Sequence, residues 1–482
     1  MAILSIDQGT TGTTVILVGS EGQILAKTYH EFKQIYPQRG WVEHDPEEIW
    51  ETVVECVGEI CSSRSETIDA VGITNQRETT IIWDTDTGIP VYNAIVWQCR
   101  RTASICESLA PQRSLIKEKT GLPLDAYFSG TKAQWILNHA SIQPDQNLKF
   151  GTIDTWLIWK LTTGKVHATD YSNASRTMLY NIHEKSWDAE LCNLLGVPAN
   201  ILPEVKNSAD DYGVVSALSE LNGVPIRGVA GDQQASLYGQ QCFQKGETKN
   251  TYGTGCFIMM NTGSEAIKSE YGLITTLAAD PDGKPCYALE GSIFIAGAAI
   301  QWLRDELGLI KTAAESEAAA LSVTDNDGVY LVPAFTGLGA PHWNMDARGL
   351  LTGLTRGSNK NHIIRASLEA MAYQTYDVIQ TLEKETGASI TSLAVDGGAT
   401  QNKFLMQFQA DMLQIEVQRV HYVETTALGV AYLAGLGIGI WDKDTLKSFA
   451  SQKTIFTPEI TKNKRDSLIV GWNAAIKQAV TR

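Results

Sequence analysis

The chain of 482 residues lacks an excess of positive charge, with 39 Lys and Arg against 54 Asp and Glu and a formal charge of −15. Nucleic acids and anionic membranes attract proteins through basic patches, so neither is expected as a partner. A long apolar run is also lacking, because the stretch from Ala427 to Ile440 contains several Gly and is too short for a bilayer. No basic segment or cleavage site precedes the first predicted strand, which predicts a cytoplasmic protein.

Cysteines at redox or metal-binding spacing are missing as well. The eight cysteines form no C-x-x-C motif, and no pair of His residues has the spacing of zinc ligands. Scattered cysteines of this kind are typical of reduced, buried thiols in a cytoplasmic protein. Low-complexity tracts are absent, and 43% hydrophobic with 19% charged residues is an ordinary globular composition. These features exclude a disulfide scaffold and argue against disorder.

The first half of the chain predicts a small antiparallel sheet followed by a helix. Turn signals separate three segments rich in strand-forming residues. The helix has a clear start, with Asp45 as N-cap, Pro46 at N1 and Glu48 at N3. The three predicted strands are Ile3–Asp7, Thr13–Val18 and Ile24–Tyr29.

The second half repeats a comparable order of strands and helices, beginning with Asn250–Asn261. A chain of this length usually needs more than one hydrophobic core. We therefore predict a duplicated α/β architecture with a ligand cleft between the halves. The boundary is expected near Gln240–Gln244, which gives domains of residues 1–242 and 243–482.

Three Gly-containing segments follow predicted strands, at Asp7–Thr14, Thr251–Gly255 and Asp396–Ala399. Backbone N–H groups of such segments can approach phosphates, and a carboxylate at a strand end can hold Mg²⁺ through water. No Gly-Lys-Ser/Thr follows the first segment, which excludes a P-loop. Each segment alone also fits an ordinary turn. One hairpin in each half nevertheless predicts that a polyphosphate is held across the cleft.

Polar residues next to apolar strands indicate a binding site for an alcohol. Asn75–Glu78 separates two hydrophobic strands, and Gly231–Gln234 follows Val229-Ala230. An alcohol acceptor needs a base for its proton and hydrogen-bond partners for its other hydroxyl groups. A structural ion pair between Arg77 and a neighbouring carboxylate is the alternative.

At these segments the chain resembles the FGGY carbohydrate kinases, and among them the members that act on glycerol. The resemblance runs from Ile3 to about Trp472. It implies a duplicated actin/hexokinase-like (ribonuclease H-like) fold, with ATP and Mg²⁺ as cofactors, and phosphorylation of glycerol to sn-glycerol 3-phosphate. The segments that carry it are Asp7–Thr11, Gly40–Pro46, Ile73–Thr80, Ile95–Arg101, Tyr127–Trp135, Asp154–Lys160, Gly231–Ala235, Asn250–Phe257, Pro333–Pro341 and Gly353–Glu369.

The resemblance also implies roles for individual residues. Asp232 is expected to be the general base, and Asp7 and Asp232 are expected to place Mg²⁺. The glycerol site would lie in the N-terminal domain and the nucleotide site in the C-terminal domain. The residues implied in glycerol binding are Arg77, Glu78, Trp97, Tyr127, Asp232, Gln233 and Phe257. Those implied in ATP binding are Thr10, Thr11, Gly12, Thr254, Gly297, Gln301, Gly398 and Asn402.

The first hairpin departs from the family pattern. The family has Ser and Arg where this chain has Gly12 and Thr14. Loss of a guanidinium at the ATP phosphates is expected to weaken ATP binding or catalysis unless another cation compensates. The alternatives are a kinase for another small polyol or ketose, and a non-catalytic sugar- or nucleotide-sensing protein. A homodimer or homotetramer is also compatible with the sequence.

Overall fold

The computed structural model describes residues 1–143, 147–284, 286–420, 422, 424–449 and 453–481. The first half contains, in chain order, β1 (Ala2–Gln8), β2 (Gly12–Gly19), β3 (Ile24–Glu31), β4 (Glu43–His44), α1 (Pro46–Ser63), β5 (Ile68–Asn75), β6 (Ile81–Asp84), β7 (Ala94–Ile95), α2 (Ala103–Ser108), α3 (Arg113–Thr120), α4 (Ser129–His139), β8 (Leu148–Gly151), α5 (Ile153–Leu161), β9 (Ala168–Asp170), α6 (Tyr171–Ala174), β10 (Tyr180–Asn181), β11 (Ser186–Trp187), α7 (Ala189–Leu194), β12 (Glu204–Lys206), β13 (Ile226–Gly231) and α8 (Asp232–Gly239).

The second half continues with β14 (Thr248–Tyr252), β15 (Cys256–Gly263), β16 (Ile274–Leu277), β17 (Tyr287–Ile293), α9 (Gly297–Asp305), α10 (Glu315–Leu321), β18 (Tyr330–Val332), β19 (Leu350–Thr352), α11 (Lys360–Thr386), β20 (Ser392–Asp396), α12 (Lys403–Leu413), β21 (Glu416–Val420), α13 (Thr425–Gly437), α14 (Lys443–Ser448), β22 (Lys453–Phe456) and α15 (Lys462–Val480).

The main sheet of the first half has the strand order β13-β5-β1-β2-β3. β1, β2 and β3 form the predicted antiparallel meander, and β5 and β13 run parallel to β1. β1 and β2 are almost wholly buried, as expected for apolar runs covered on both faces. Since β1, β5 and β13 are parallel, their carboxyl ends lie at one edge of the sheet. That edge carries most of the polar residues singled out in the sequence.

Helix α1 begins where its sequence predicts. The Asp45 side chain accepts a hydrogen bond from the backbone N–H of Glu47 at 2.9 Å, and such an N-cap contributes about 1 kcal/mol. The Glu48 carboxylate accepts from the backbone N–H of Lys33 at 2.8 Å. It therefore ties the helix start to the segment after β3. The apolar stripe from Ile49 to Ile60 is buried against the sheet.

The second sheet has the order β16-β17-β15-β14-β20-β21-β22. β17 lies between β15 and β16, so the second half does not repeat the sequential meander that its similar segment order suggested. β18 pairs with β19 in a separate two-stranded sheet. β17 is buried along its whole length and pairs with β15.

Helices α8 and α13 pack closely against each other although they come from different halves of the chain. A Cβ atom at Gly239 would lie 2.0 Å from the carbonyl oxygen of Thr425, and one at Gly429 would lie 1.9 Å from that of Ala235. Ser5 of β1 donates a hydrogen bond to the carbonyl of Ala427 on α13 at 2.6 Å. The apolar 427–440 segment is thus largely interior. No helix in the described ranges is both long and apolar enough to cross a membrane.

Candidate active site

The predicted polar residues meet at the carboxyl edge of the first sheet. Asp7 pairs with Thr74 across β1 and β5, and Gly231 pairs with Asn75 across β13 and β5. Asp232 follows directly as the first residue of α8, where the helix N-terminus favours a carboxylate. Burial, and then the negative charges of Asp232 and Glu424, raise the pKa of Asp7 to about 8. The structure therefore brings both predicted metal-binding carboxylates to one edge.

A buried network of ion pairs lies behind this edge. Arg77 Nε is 3.0 Å from Asp232 Oδ1, and its Nη1 is 2.6 Å from Glu290 Oε2. Arg176 Nε is 2.6 Å from Glu78 Oε1, and its Nη2 is 3.1 Å from Glu290 Oε1. Four of these side chains are at most 2% exposed, whereas Asp232 is 30% exposed. The structural ion pair that was the alternative for Arg77 is present, and it holds the carboxylate of Asp232.

Opposing effects set the charge states in this network. Burial alone would raise the pKa of Glu290, but the charges of Arg176 and Arg77 outweigh it and lower the pKa to about 2. Burial raises the pKa of Glu78, and the same two arginines oppose that change only in part. Glu78 also has a left-handed backbone conformation, with φ of 62°. Such strain in a non-Gly residue persists only where the surroundings fix it, and it is common at functional sites.

Three aromatic rings form a wall beside these charges. The ring centroid of Trp97 is 5.6 Å from that of Tyr127 and 6.4 Å from that of Phe257, and both pairs are edge-to-face. Burial raises the pKa of Tyr127, so its phenol remains protonated and can donate a hydrogen bond. Phe257 belongs to β15 in the second half. The wall thus contains residues from both halves of the chain.

The first hairpin contacts this wall. Trp97 Nε1 donates a hydrogen bond to Thr10 Oγ1 at 2.9 Å, and Gly9 N donates to the carbonyl of Gly12 at 3.0 Å. Gln76 Nε2 donates to the carbonyl of Gly9 at 3.0 Å, which fixes the hairpin to the end of β5. Residues predicted for glycerol and residues predicted for ATP are therefore in direct contact here.

The other predicted nucleotide residues form a second group. Thr254 lies in the second hairpin, whose carbonyl groups at Gly253 and Thr254 accept hydrogen bonds from Gly297 N at 3.0 Å and Ala298 N at 3.1 Å. A Cβ atom at Gly297 would lie 2.6 Å from the carbonyl oxygen of Gly253. Gln301 is exposed one turn further along α9. The second hairpin and the start of α9 are thus a single packed unit.

The third Gly segment packs against the second hairpin. Gly397 has φ of 91°, and a Cβ atom there would lie 2.4 Å from the carbonyl oxygen of Tyr252. A Cβ atom at Gly398 would have no neighbouring atom within 4 Å. Asn402 caps α12 by accepting from Leu405 N at 2.9 Å, and its Nδ2 donates to Ser316 Oγ at 3.2 Å. In the structure Asn402 therefore caps α12.

The space at Gly12 is filled by Tyr29 of β3. A Cβ atom at Gly12 would lie 2.5 Å from the carbonyl oxygen of His30 and 2.6 Å from the ring of Tyr29. Tyr29 lies directly opposite Thr14 in the β2–β3 register and is 46% exposed. The change from the family's Ser to Gly12 therefore has a steric reason. Thr14 is half-buried beside this exposed ring.

Thr14→Arg is expected to tighten ATP binding. Thr14 pairs with Asp7 across β1 and β2, so the guanidinium of the new arginine would lie on the same face of the sheet as Asp7. A charge-assisted contact between this guanidinium and a phosphate contributes about 1–2 kcal/mol. The measurement is KM for ATP at fixed Mg²⁺. Thr87→Arg, on an exposed turn, controls for the added charge. An unchanged or higher KM would show that another group already serves the phosphates.

The donor set fits Mg²⁺ bound together with a nucleotide. In the described ranges, no cluster of three or more His, Cys, Asp or Glu side chains could enclose a metal ion. Mg²⁺ usually keeps several waters and binds one or two carboxylates together with substrate phosphates. Asp7 and Asp232 supply two carboxylates at one edge. Burial and the charges of Asp232 and Glu424 raise the pKa of Asp7, and a divalent cation would offset those charges. Neither a protein cage nor a third protein ligand is required.

Sequence reasoning missed Arg176, Glu290 and Lys249, which contact predicted site residues in the structure. Glu290 is the lone charge in the buried strand Tyr287–Ile293, and a charge at such a position must be paired. The isolated charge in an apolar strand could therefore have marked Glu290 as a residue of the site. Arg176 follows the four-residue helix α6, where nothing in the local pattern marks it.

Comparisons with known proteins identify the family of this chain. The profile of the N-terminal domain of the FGGY family of carbohydrate kinases matches residues 2–239, and that of its C-terminal domain matches residues 248–438. Glycerol kinase 1 of Clostridium tetani is 55% identical, with 99% of this chain and 98% of that protein covered. The glycerol kinase of Desulfitobacterium hafniense is 55% identical, with 99% of each chain covered.

Solved structures give the same result for the fold. The crystal structure of Plasmodium falciparum glycerol kinase with ADP superimposes with a TM-score of 0.93 at 37% identity, covering 99% of this chain and 98% of that chain. Xylulose kinase of Lactobacillus acidophilus has a TM-score of 0.89 at 22% identity, covering 100% and 99%. The predicted duplicated, actin/hexokinase-like fold is confirmed. The chain belongs to the FGGY family of carbohydrate kinases.

Proposed function

We propose that the protein transfers the γ-phosphoryl group of ATP to glycerol, giving sn-glycerol 3-phosphate. The observation that carries the proposal is the position of Asp232. Its carboxylate is 3.0 Å from Arg77 Nε and remains 30% exposed at an edge shared with Asp7. The relatives that are 55% identical over nearly their whole length are named glycerol kinases, which supports glycerol as the acceptor.

In this proposal Asp232 takes the proton of the terminal hydroxyl group as its oxygen attacks the γ-phosphorus of ATP. Arg77 Nε and the backbone N–H of Gln233, at 2.7 Å, both donate to Asp232 Oδ1 and hold the carboxylate in place. A positioned general base of this kind is worth about 10²–10⁴ in rate. Mg²⁺ held by Asp7, Asp232 and phosphate would neutralise negative charge on ATP.

The acceptor site fits a small polyol. Trp97, Tyr127 and Phe257 would cover its carbon backbone, while Arg77 and Glu78 would bind its hydroxyl groups. Trp97 lies edge-to-face against both other rings, so the three rings form one continuous apolar surface beside the charged groups. Arg176 Nη1 is buried without a hydrogen-bond partner in the described part of the chain, so one donor is left for a hydroxyl group or a water.

On the nucleotide side, the two hairpins would hold the phosphates and the third Gly segment would hold the nucleoside. The group comprises Thr10, Thr11, Gly12, Thr254, Gly297, Gln301, Gly398 and Asn402. The proposed division into residues 1–242 and 243–482 puts glycerol mainly in the first domain and ATP mainly in the second. Closure of the domains would exclude water as a competing acceptor. We place the enzyme in the cytoplasm, as a homodimer or homotetramer.

A coupled assay of ADP release tests the function. With Mg²⁺-ATP, glycerol should give a higher kcat/KM than any member of a panel of small polyols and ketoses that includes xylulose. The reason is that an apolar wall beside hydrogen-bonding charged groups matches the CH edge and the hydroxyl groups of a three-carbon polyol. If a ketose is preferred, it is the substrate in place of glycerol, and the transfer of the phosphoryl group from ATP remains the proposed reaction. ADP release that no acceptor stimulates, with retained sugar or nucleotide binding, would favour a sensing protein.

A further inference from the structure

Lys249 is a buried lysine between the two halves of the site. It lies on β14, two residues before the second hairpin's Thr251, and its side chain is not exposed to solvent. Burial lowers the pKa of Lys249 to about 8, an effect that the negative charges of Asp396 and Asp232 partly oppose. A substantial part of the population therefore keeps the ammonium charge at neutral pH. Burying such a charge is costly unless hydrogen bonds satisfy it, so the partners of the Lys249 ammonium group decide what it does.

The contacts of Lys249 lead to the proposed base. Its Nζ is 2.5 Å from Gln233 Oε1 and 2.8 Å from Thr251 Oγ1. Gln233 Nε2 in turn lies 3.3 Å from Asp232 Oδ2. Because an ammonium group can only donate hydrogen bonds, it fixes which end of the Gln233 amide faces it. The amide NH₂ group must then point towards Asp232.

The same lysine is joined to the second hairpin. Thr251 Oγ1 is 3.1 Å from Ser236 Oγ on α8, and Ser236 Oγ donates to Asp396 Oδ2 at 2.9 Å. Asp396 ends β20 next to the third Gly segment. The hydrogen bonds therefore connect the helix that begins with Asp232 to the two strands that carry the nucleotide-binding segments. Lys249 is the cation at the centre of this connection.

We infer that Lys249 is a positioning residue for the base, since it orients the Gln233 amide that holds Asp232 Oδ2 and ties α8 to the second hairpin. The inference rests on the proposed function. With Lys249 in place, Asp232 Oδ1 is held by Arg77 and Oδ2 by Gln233, so the carboxylate has a single orientation. Without it, the Gln233 amide can flip and present its oxygen to the carboxylate, which repels it.

Lys249→Met tests this role, because it keeps the length of the side chain and removes the charge. We expect kcat to fall about tenfold to a hundredfold, as for a small misplacement of a catalytic group, with KM for glycerol changed less than about threefold. The double variant Lys249→Met/Gln233→Leu should be no slower than Gln233→Leu alone, because both changes break one connection. A wild-type kcat in Lys249→Met, or losses that multiply in the double variant, would overturn the inference.

Lys132→Met is the matched control. Lys132 is also fully buried, and it donates to the backbone carbonyls of Tyr127 and, at 3.1 Å, of Phe128, whereas no side chain that holds Asp232 is its hydrogen-bond partner. This control should lower the melting temperature while kcat changes less than about threefold. A comparable loss of kcat in Lys132→Met would mean that removal of any buried lysine slows the enzyme, and would overturn the inference.

Gln233→Glu covers the case in which Lys249→Met does not fold. It keeps an oxygen for the Lys249 ammonium but removes the donor to Asp232 Oδ2, so kcat should fall at least about tenfold despite an intact contact with Lys249. An unchanged kcat would overturn the inference. The proposed function is tested by a different result: it is wrong if the wild-type protein shows no glycerol-dependent ADP release. If the wild type is active and the Gln233→Glu variant is equally active, only the inferred role of Lys249 is wrong, and the proposed function stands.

Discussion

Asp232→Asn is expected to lower kcat for glycerol phosphorylation by about 10²–10⁴. The amide has nearly the shape of the carboxylate, but it cannot take the proton of the attacking hydroxyl group. KM for glycerol should change much less, since Arg77, Glu78 and the aromatic wall remain. Steady-state kinetics with saturating Mg²⁺-ATP, and glycerol binding measured by calorimetry, separate the two effects. Near-normal turnover would remove Asp232 from the role of base.

Asp211→Asn is the matched control for this substitution. Asp211 is also paired with an arginine, since its Oδ2 lies 3.5 Å from Arg227 Nη2, but it is 59% exposed and lies away from the cleft edge. The same loss of one negative charge next to an arginine should leave kcat essentially unchanged. If both variants lost activity equally, the effect of Asp232→Asn would reflect the general charge balance of this acidic protein.

The local elements could be predicted because short-range signals determine them. The antiparallel meander of β1–β3 and the start of α1 at Asp45 follow from strand propensity, turn residues and a capping side chain. The edge position of Asp232 was also accessible, because polar residues after parallel apolar strands meet at one edge. These parts of the fold and of the site depend on neighbouring residues in the sequence.

The order of the second sheet and the buried charge network depend on distant residues. β17 pairs between β15 and β16, and no local pattern distinguishes this order from a sequential meander. Arg77 and Glu290 are 213 positions apart, and Arg176 and Glu290 are 114 positions apart. A lone charge in an apolar strand signals that a partner exists, but not which one. The network therefore became visible only in three dimensions.

Glu290→Gln is expected to destabilise the protein and to weaken glycerol binding together. Glu290 forms ion pairs with Arg77 and Arg176. Removing one charge from a buried group of this kind lowers the free energy of unfolding by about 3 kcal/mol or more. Arg77 and Arg176 would then shift towards Glu78 and Asp232. KM for glycerol should rise about tenfold, which corresponds to about 1.4 kcal/mol. Denaturant unfolding and steady-state kinetics measure the two effects.

Glu369→Gln separates stability from substrate binding. Glu369 is also buried, and its Oε1 is 2.8 Å from Arg365 Nε, but it lies on α11 and is not part of the network behind the sheet edge. This control should lose stability while KM for glycerol stays near the wild-type value. A raised KM in both variants would mean that any loss of stability in the second half weakens the site.

The pH dependence of the Glu290→Gln effect provides an independent check on the network. Its arginine partners lower the pKa of Glu290 from 4.5 to about 2, so the carboxylate stabilises the folded protein above pH 4.5. This contribution is lost as the pH falls towards 2, because the carboxylate then becomes protonated in the folded state. The difference in free energy of unfolding between the wild type and Glu290→Gln should therefore shrink across that interval. A difference that stays constant down to pH 2 would show that the two arginines do not hold Glu290 in its charged form.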